Sequence, residues 1–421
     1  MKNRPSLLSL FHQKTKDVSK DTNFIGQPIF SQLLKFINKS KIDRIALKHN
    51  ADRYTKKFTT YNHLVVMLYA IFAGVSSLRE VVIGVLANSS KIIHLGLNSM
   101  PKRSTLSDAN KRRSSKVFED IYMKLYQENR RFLSDSRASK LNLKRLFMID
   151  STTISLFKAI LKAVGRKPLN GKKKGGIKAH VMINAQENTP ILVRYSSAAR
   201  HDKNFLKHID LAKGSIIVFD RAYNDYKQYA RFTSDEIFFV TREKKSAVFQ
   251  QGKVFKILDN TDSGVVKDEE IFLTYREDKK QLKLRTRRIT YYEKKSRKTL
   301  IFITNNFELD AETIAAIYKK RWQIETLFKQ LKQNFPLKYF LGDNQNAIEI
   351  QIWVSMIANL LVTLIKNRVK RKWAFSNLVS LIRMHLMNYI NIYKFLEDPE
   401  KSWKNLLKKR KNEYKYSLFP T

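Results

Sequence analysis

From about Thr59 to Glu128 apolar residues recur at helical spacing: Leu64, Met67, Leu68, Ile71 and Phe72 share one face behind the cap candidates Thr59 and Thr60. This pattern predicts a small helical domain. Within it, Arg103 to Asp108 offers N-cap residues, and the helix expected to follow carries Lys111, Arg112, Arg113 and Lys116. The period changes at Leu143. Leu146–Ile149 is an apolar run of strand length ending in Asp150, followed by strand-like runs at Lys178–Asn184, Ile191–Ser197, Ser215–Phe219 and Ile237–Thr241. Helices are expected near Asn204–Ala212 and Tyr226–Phe232, so strands alternate with helices as in a mixed α/β layer.

A third pattern runs from about Lys244 to Arg297. VFKIL, EEIFLTY and QLKLRTRRITYY alternate at period two, and Asn260, Asp262 and Gly264 mark turns, which predicts an antiparallel ribbon or small sheet. One face of its last strand would carry Lys283, Arg285 and Arg287, a spacing suited to a phosphate backbone or to a charged solvent face. Thr299–Thr304 resumes a strand before one long helix from about Asp310 to Asn334. The window Ile350–Ile365 is the most apolar, but Gln351, Ser355, Asn359 and Thr363 interrupt it short of the ~20 residues that span a bilayer, so it predicts a buried helix. The chain then stays helical and basic to KNLLKKRKNEYKYSLFPT.

Charge narrows the function. The 421 residues carry 81 Lys and Arg against 37 Asp and Glu, a formal charge of +44 spread over the whole length, and 43% are apolar. A globular protein with a polyanionic partner is expected, and dispersed cations favour nucleic acid over a membrane anchor. With no cysteine, disulfides, zinc fingers and thiol nucleophiles are excluded, and any metal must take oxygen or imidazole ligands. The opening MKNRPSLLSLFHQKTK lacks a secretory apolar core, so a cytoplasmic protein is expected. The basic loop GRKPLNGKKKGG lacks the spacing of a nucleotide-binding P-loop, and an NTPase is not expected. No histidine pair has metal-ligand spacing; His201-Asp202 reads as a turn and cap.

Candidate chemistry lies in the acids. Asp150 and Asp220 each follow an apolar strand, and clustered carboxylates near a DNA phosphate make sense if they hold divalent cations that reverse the local sign. In YKKRWQIETLFKQLK, a continuous helix would set Tyr318, Arg321, Glu325 and Lys332 at about 0°, 300°, 340° and 320°, a single polar stripe. Ile324, Leu327 and Leu331 would face the other way and bury.

FMIDST, VFDRAYNDY and the Tyr-Arg-Glu-Lys helix together resemble the bacterial insertion-sequence transposases of the IS-four group, which are RNase H-like DDE enzymes. KHNADRYTKKFTTYNHL and RSTLSDANKRR resemble their N-terminal domain, so the similarity covers most of residues 20–370. The resemblance implies an RNase H-like mixed sheet with flanking helices, interrupted by an antiparallel β insertion, plus an N-terminal helical domain and a helical C-terminal region. The expected boundaries are 1–135 (DNA-end binding), 136–243 and 299–366 (catalytic), 244–298 (insertion) and 367–421 (basic C-terminal region). It implies Asp150, Asp220 and Glu325 as catalytic metal ligands for two Mg²⁺ ions, Mn²⁺ being an alternative. Tyr318, Arg321 and Lys332 would contact phosphates, with Arg221 and Asp225 supporting Asp220. Lys283, Arg285, Arg287, Arg112 and Arg113 are further candidate DNA contacts. The implied partner is double-stranded DNA, at transposon ends and target, bound by a homodimer.

One departure is plain. Some relatives stack a flipped base on a tryptophan of the β insertion; the four tryptophans here are Trp322, Trp353, Trp373 and Trp403, none of them in it. Tyr275, Tyr291, Tyr292 or Phe272 could offer a ring instead. The alternatives are a catalytically idle DNA-binding relative and an RNase H-like nuclease without transposition.

Overall fold

A computed structural model describes residues 26–97, 99–133, 145–155, 176–257, 264–335, 337, 339–401, 403–405 and 407–408. The opening segment, nearly all of the GRKPLNGKKKGG loop, the turn-formers Asn260 and Asp262 and the last residues of the C-terminal tail lie outside them. The chain forms two compact units, one of residues up to Phe132 together with those from Leu331 onward, the other Leu133–Gln330. This division groups 331–366 with the N-terminal residues, whereas the sequence boundaries placed that stretch with the sheet.

The first unit is helical. Its N-terminal part comprises α1 (Ile29–Leu34), α2 (Lys39–Lys48), α3 (Thr60–Ala73), α4 (Leu78–Ala87), α5 (Arg103–Arg112) and α6 (Ser115–Asn129). Thr59 caps α3 by accepting from the Asn62 N–H, and Leu64, Met67, Leu68, Ile71 and Phe72 are all fully buried, as their spacing predicts. The expected capping of a basic helix by residues 103–108 does not occur. Those residues form α5 itself, Lys111 and Arg112 end it, and Lys116 belongs to α6, capped by Ser114.

The second unit is built on a nine-stranded sheet, β1 (Leu146–Ser155), β2 (Gly176–Asn184), β3 (Thr189–Ser197), β4 (Ile216–Phe219), β5 (Phe238–Arg242), β6 (Phe249–Ile257), β7 (Val265–Glu277), β8 (Lys280–Glu293) and β9 (Lys298–Thr304). Its order is β3-β2-β1-β4-β5-β9-β8-β7-β6. β1, β4 and β5 run parallel, and β2 and β9 are antiparallel to their neighbours, the RNase H-like arrangement. The expected separate ribbon is instead an extension of this sheet, because β9 pairs with both β5 and β8. α7 (Tyr226–Ser234) covers one face, where Tyr229 lies 4.5 Å from the ring of Phe239 and Phe219, Phe232 and Phe239 are fully buried. Each such ring contributes roughly 2–3 kcal/mol on leaving water.

The expected single helix from 310 to 334 is two, α8 (Ala311–Lys319) and α9 (Trp322–Asn334), separated by a turn at Lys320 and Arg321. There the N–H groups of Lys320 and Arg321 bond three residues back, to the carbonyls of Ile317 and Tyr318. The chain closes with α10 (Gln345–Arg368), α11 (Phe375–Met384) and α12 (Ile392–Glu397). α10 is long and apolar enough to cross a membrane, yet 89% of its most apolar window is buried inside the protein. Its interrupting Gln351 accepts from the Leu341 N–H and donates to the Tyr339 carbonyl, so its buried amide is satisfied.

Candidate active site

The parallel register builds the site. Ile149 lies opposite Phe219, so Asp150 and Asp220 are the next residues on adjacent strands, about 5 Å apart across the sheet. β4 stops there, and Asp220 opens a short turn, Arg221–Tyr223. β1 does not stop as its sequence suggested; it continues through Ser155 against β2, holding Asp150 in mid-strand. Glu325 arrives from the first turn of α9, whose Ile324, Leu327 and Leu331 are buried as expected.

Arg321 joins the acids. Its guanidinium donates to Asp150 Oδ2 at 3.3 Å and to Glu325 Oε1 at 2.5 Å. Burial raises the Asp150 carboxyl to about pH 6; the Ser151 N–H and Arg321 lower it, while the charges of Glu325 and Asp220 raise it further. Three hard oxygen donors around a desolvated acid are the chemistry that Mg²⁺ or Mn²⁺ takes. The donor types, all carboxylate oxygens, fit such a cation. Two of the carboxylates are bonded to Arg321, and no three His, Asp or Glu among the described residues form a ready ligand cluster.

The expected polar stripe is altered by the turn before α9. Tyr318 is not on it: the phenol is buried, its ring 4.9 Å from Phe302, and burial pushes its pKa up to about 12. The Arg321 guanidinium lies 5.8 Å from that ring. Lys332 is exposed two turns beyond Glu325 on α9, and partial desolvation lowers its pKa. Asp225 caps α7 by accepting from the Gln228 N–H, and Arg221 is exposed beside Asp220.

Other expected contacts are spent inside the protein. Arg287 is buried and forks onto Asp268 at 2.6 and 2.9 Å, with further bonds to the carbonyls of Asn306 and Leu309, so it cannot lie on a DNA-facing surface. Arg285 stays exposed but pairs with Glu270, and exposed Lys283 donates to Gln250. Arg113 is buried against Asp52 and the Phe58 carbonyl, because the chain turns extended there and sends its side chain inward. Arg112 remains exposed, paired with Asp108.

Where the sequence suggested that His201-Asp202 is a turn and cap, Asp202 instead joins a partly buried group behind Asp150, and the short helix there has no side-chain cap bond. Asp202 accepts from Ser151 Oγ at 3.1 Å and pairs with Lys178 Nζ at 2.9 Å, and His180, opposite Ser151 on β2, is held down to about pH 4 by burial. Tyr223 is buried beside them, its pKa raised by desolvation. The signal was the alternation of Lys178 and His180 on one face of β2.

Residues 142–361 match the family described as the transposase DDE domain, and residues 25–98 match a domain of unknown function, DUF4372. A transposase of Sinorhizobium fredii, y4zB, is 32% identical over 62% of this chain and 71% of its own. One named for insertion sequence element IS5377 of Geobacillus stearothermophilus is 28% identical over 57% and 62%, and one for element IS4SA of Synechocystis is 26% identical over 62% and 71%. An RNase H-like sheet that brings two aspartates to one edge, a glutamate on the helix beside them and a match over more than half the sequence agree: the chain belongs to the DDE transposases and is an insertion-sequence transposase of the IS-four group.

Proposed function

We propose that this transposase binds the terminal inverted repeats of its element and excises it by cut-and-paste, with Asp150, Asp220 and Glu325 as ligands of two Mg²⁺ ions, Mn²⁺ substituting. The single observation that carries this reading is the guanidinium of Arg321 shared between Asp150 and Glu325. It marks where these carboxylates tolerate a cation, since both of the partners of Arg321 there are acids. With Asp150 and Glu325 holding a cation, Arg321 would be free to fork onto a DNA phosphate. Bound at this site, a metal pair supplies Lewis-acid activation of water and stabilisation of the departing oxygen.

The residues do the rest. Lys332, on the exposed side of α9, supplies a point charge for the same strand, while buried Tyr318 positions Arg321 through its ring. The 3′-hydroxyl freed by the first cut can replace water in the same place, so one site serves cleavage and strand transfer, and bond exchange requires no ATP. Arg112, Lys283 and Arg285, all exposed, contribute to double-stranded DNA binding at ends and target. Two ends call for two protomers, a homodimer in the DNA complex, working on the nucleoid in the cytoplasm.

With a cognate end and Mg²⁺, Asp150→Asn, Asp220→Asn and Glu325→Gln are each expected to lower the cleavage rate at least 10³-fold, while end binding stays within about threefold. Cutting at near the wild-type rate by any of the three overturns the assignment of that acid.

A further inference from the structure

We propose that the hairpin joining β8 to β9, Glu293-Lys294-Lys295-Ser296-Arg297-Lys298, is a phosphate-binding fork for the DNA strand that reaches the acids; this rests on the function proposed above. Register puts it at the right end of the sheet. Val218 lies opposite Val240, Arg242 opposite Phe302, and Phe302 opposite Ile289, so Asp150, Asp220, Arg242 and Phe302 stand at one level. From Phe302 the β9 strand runs back four residues to Lys298, so the hairpin tip projects about 13 Å beyond that level, on the side where the acids emerge. Across the sheet, β1 and β9 are three strands apart, about 14 Å, or roughly four phosphate rises along one strand of a duplex.

Three cations of this tip stand outside any ion pair among the described residues, unlike the arginines of the strand beneath it. Residues Lys294 to Lys298 are all exposed. The one acid, Glu293, accepts from Ser296 Oγ at 2.7 Å and pairs with Lys319 Nζ at 3.4 Å, which hold its carboxyl below the usual range. Lys295, Arg297 and Lys298 form no ion pair among the described residues. Arg297 also sits at φ +53°, a left-handed conformation that glycine adopts without strain. An arginine there keeps a charge at a backbone cost.

The fork is fixed to the site. Lys319 Nζ bonds Tyr291 Oη at 3.2 Å as well as Glu293, and Tyr291 packs 6.2 Å from Phe302, which packs on Tyr318. Two residues past Lys319 stands Arg321. One packed cluster therefore sets the distance between hairpin stem and acid-bound guanidinium.

The experiment is anisotropy of a labelled mixed-sequence duplex titrated with the full chain at several salt concentrations. For Lys295→Gln/Arg297→Gln/Lys298→Gln the slope of log K against log[salt] is expected to flatten by about 2–3, so that the affinity lost between about 50 and 200 mM salt shrinks roughly 40-fold. Arg297→Gly is expected to flatten it by about 1 while raising the melting temperature, a combination that a structural role would not give. An unchanged slope in the folded triple variant overturns the fork and leaves the acid site standing. If the wild-type chain fails to bind duplex at all, the fork and the proposed function fall together.

Discussion

Two regions of the same sheet handle charge in opposite ways. At the edge formed by β1 and β4, acids of one sign are gathered, and a single borrowed guanidinium, Arg321, offsets them. In the insertion, the arginines of β8 are matched to acids: Arg287 with Asp268, Arg285 with Glu270 and Arg288 with Glu269 across to β7, Arg288 also with Glu243 after β5, while Lys267 and Glu269 pair within β7. The first arrangement leaves a desolvated acid that a cation can stabilise. The second is complete without any ligand. The arginines of β8 are therefore largely matched within the sheet, and cations without an ion pair among the described residues stand at the β8–β9 tip.

The sharpest way to break this comparison is to remove a matched partner. Arg287→Met leaves Asp268 buried and uncompensated and strips bonds from the carbonyls of Asn306 and Leu309, so unfolding in urea is expected to show a loss of about 3–5 kcal/mol. Adding Asp268→Leu is expected to restore much of it. A single variant as stable as wild type would mean that the pair contributes nothing and that Arg287 is kept for another purpose.

At the acid edge the sign reverses. The native Asp150 carboxyl titrates near pH 6, above its unfolded value of about 3.9, so the folded chain holds this proton more tightly. Its stabilising effect is whole below about pH 4 and is lost as pH rises through 6, up to about 3 kcal/mol. Metal-free Asp150→Asn is therefore expected to exceed wild type in stability at pH 8 and to match it near pH 4. Added Mg²⁺ is expected to raise the melting temperature of wild type and not of the variant. Equal stability at both pH values would mean that the buried carboxylate carries no such cost.

Much of this was legible in the sequence, and what was hidden has one cause. LFMI before Asp150 and IIVF before Asp220 had to be strands, and Ile324, Leu327 and Leu331 had to turn Glu325 outward. The break before α9 could not be read, because Lys-Lys-Arg-Trp contains no helix breaker; Tyr318 is drawn onto Phe302 and Arg321 onto Asp150, contacts 16 and 171 residues away in sequence. Parity correctly put Lys283, Arg285 and Arg287 on one face, but their depth depends on the Asn305–Asp310 segment, whose carbonyls cover only Arg287. Arg113 is hidden for a similar reason, by Asp52, 61 residues earlier. Periodicity assigns faces; only tertiary cover decides which charge on a face reaches solvent.

Arg285 is the smallest and most discriminating test. It is exposed, pairs with Glu270 and lies 4.3 Å over the ring of Phe307, so it belongs by neighbourhood to the matched set and by exposure to the DNA-facing one. An exposed pair adds little to stability, so Arg285→Gln is expected to leave the urea midpoint almost unmoved. Its effect on duplex binding is expected to be a salt-slope change below 1, because Glu270 already occupies the guanidinium and a phosphate must compete for it. A full unit or more would place this strand in the DNA path and shift the boundary between architecture and contact inward from the hairpin tip.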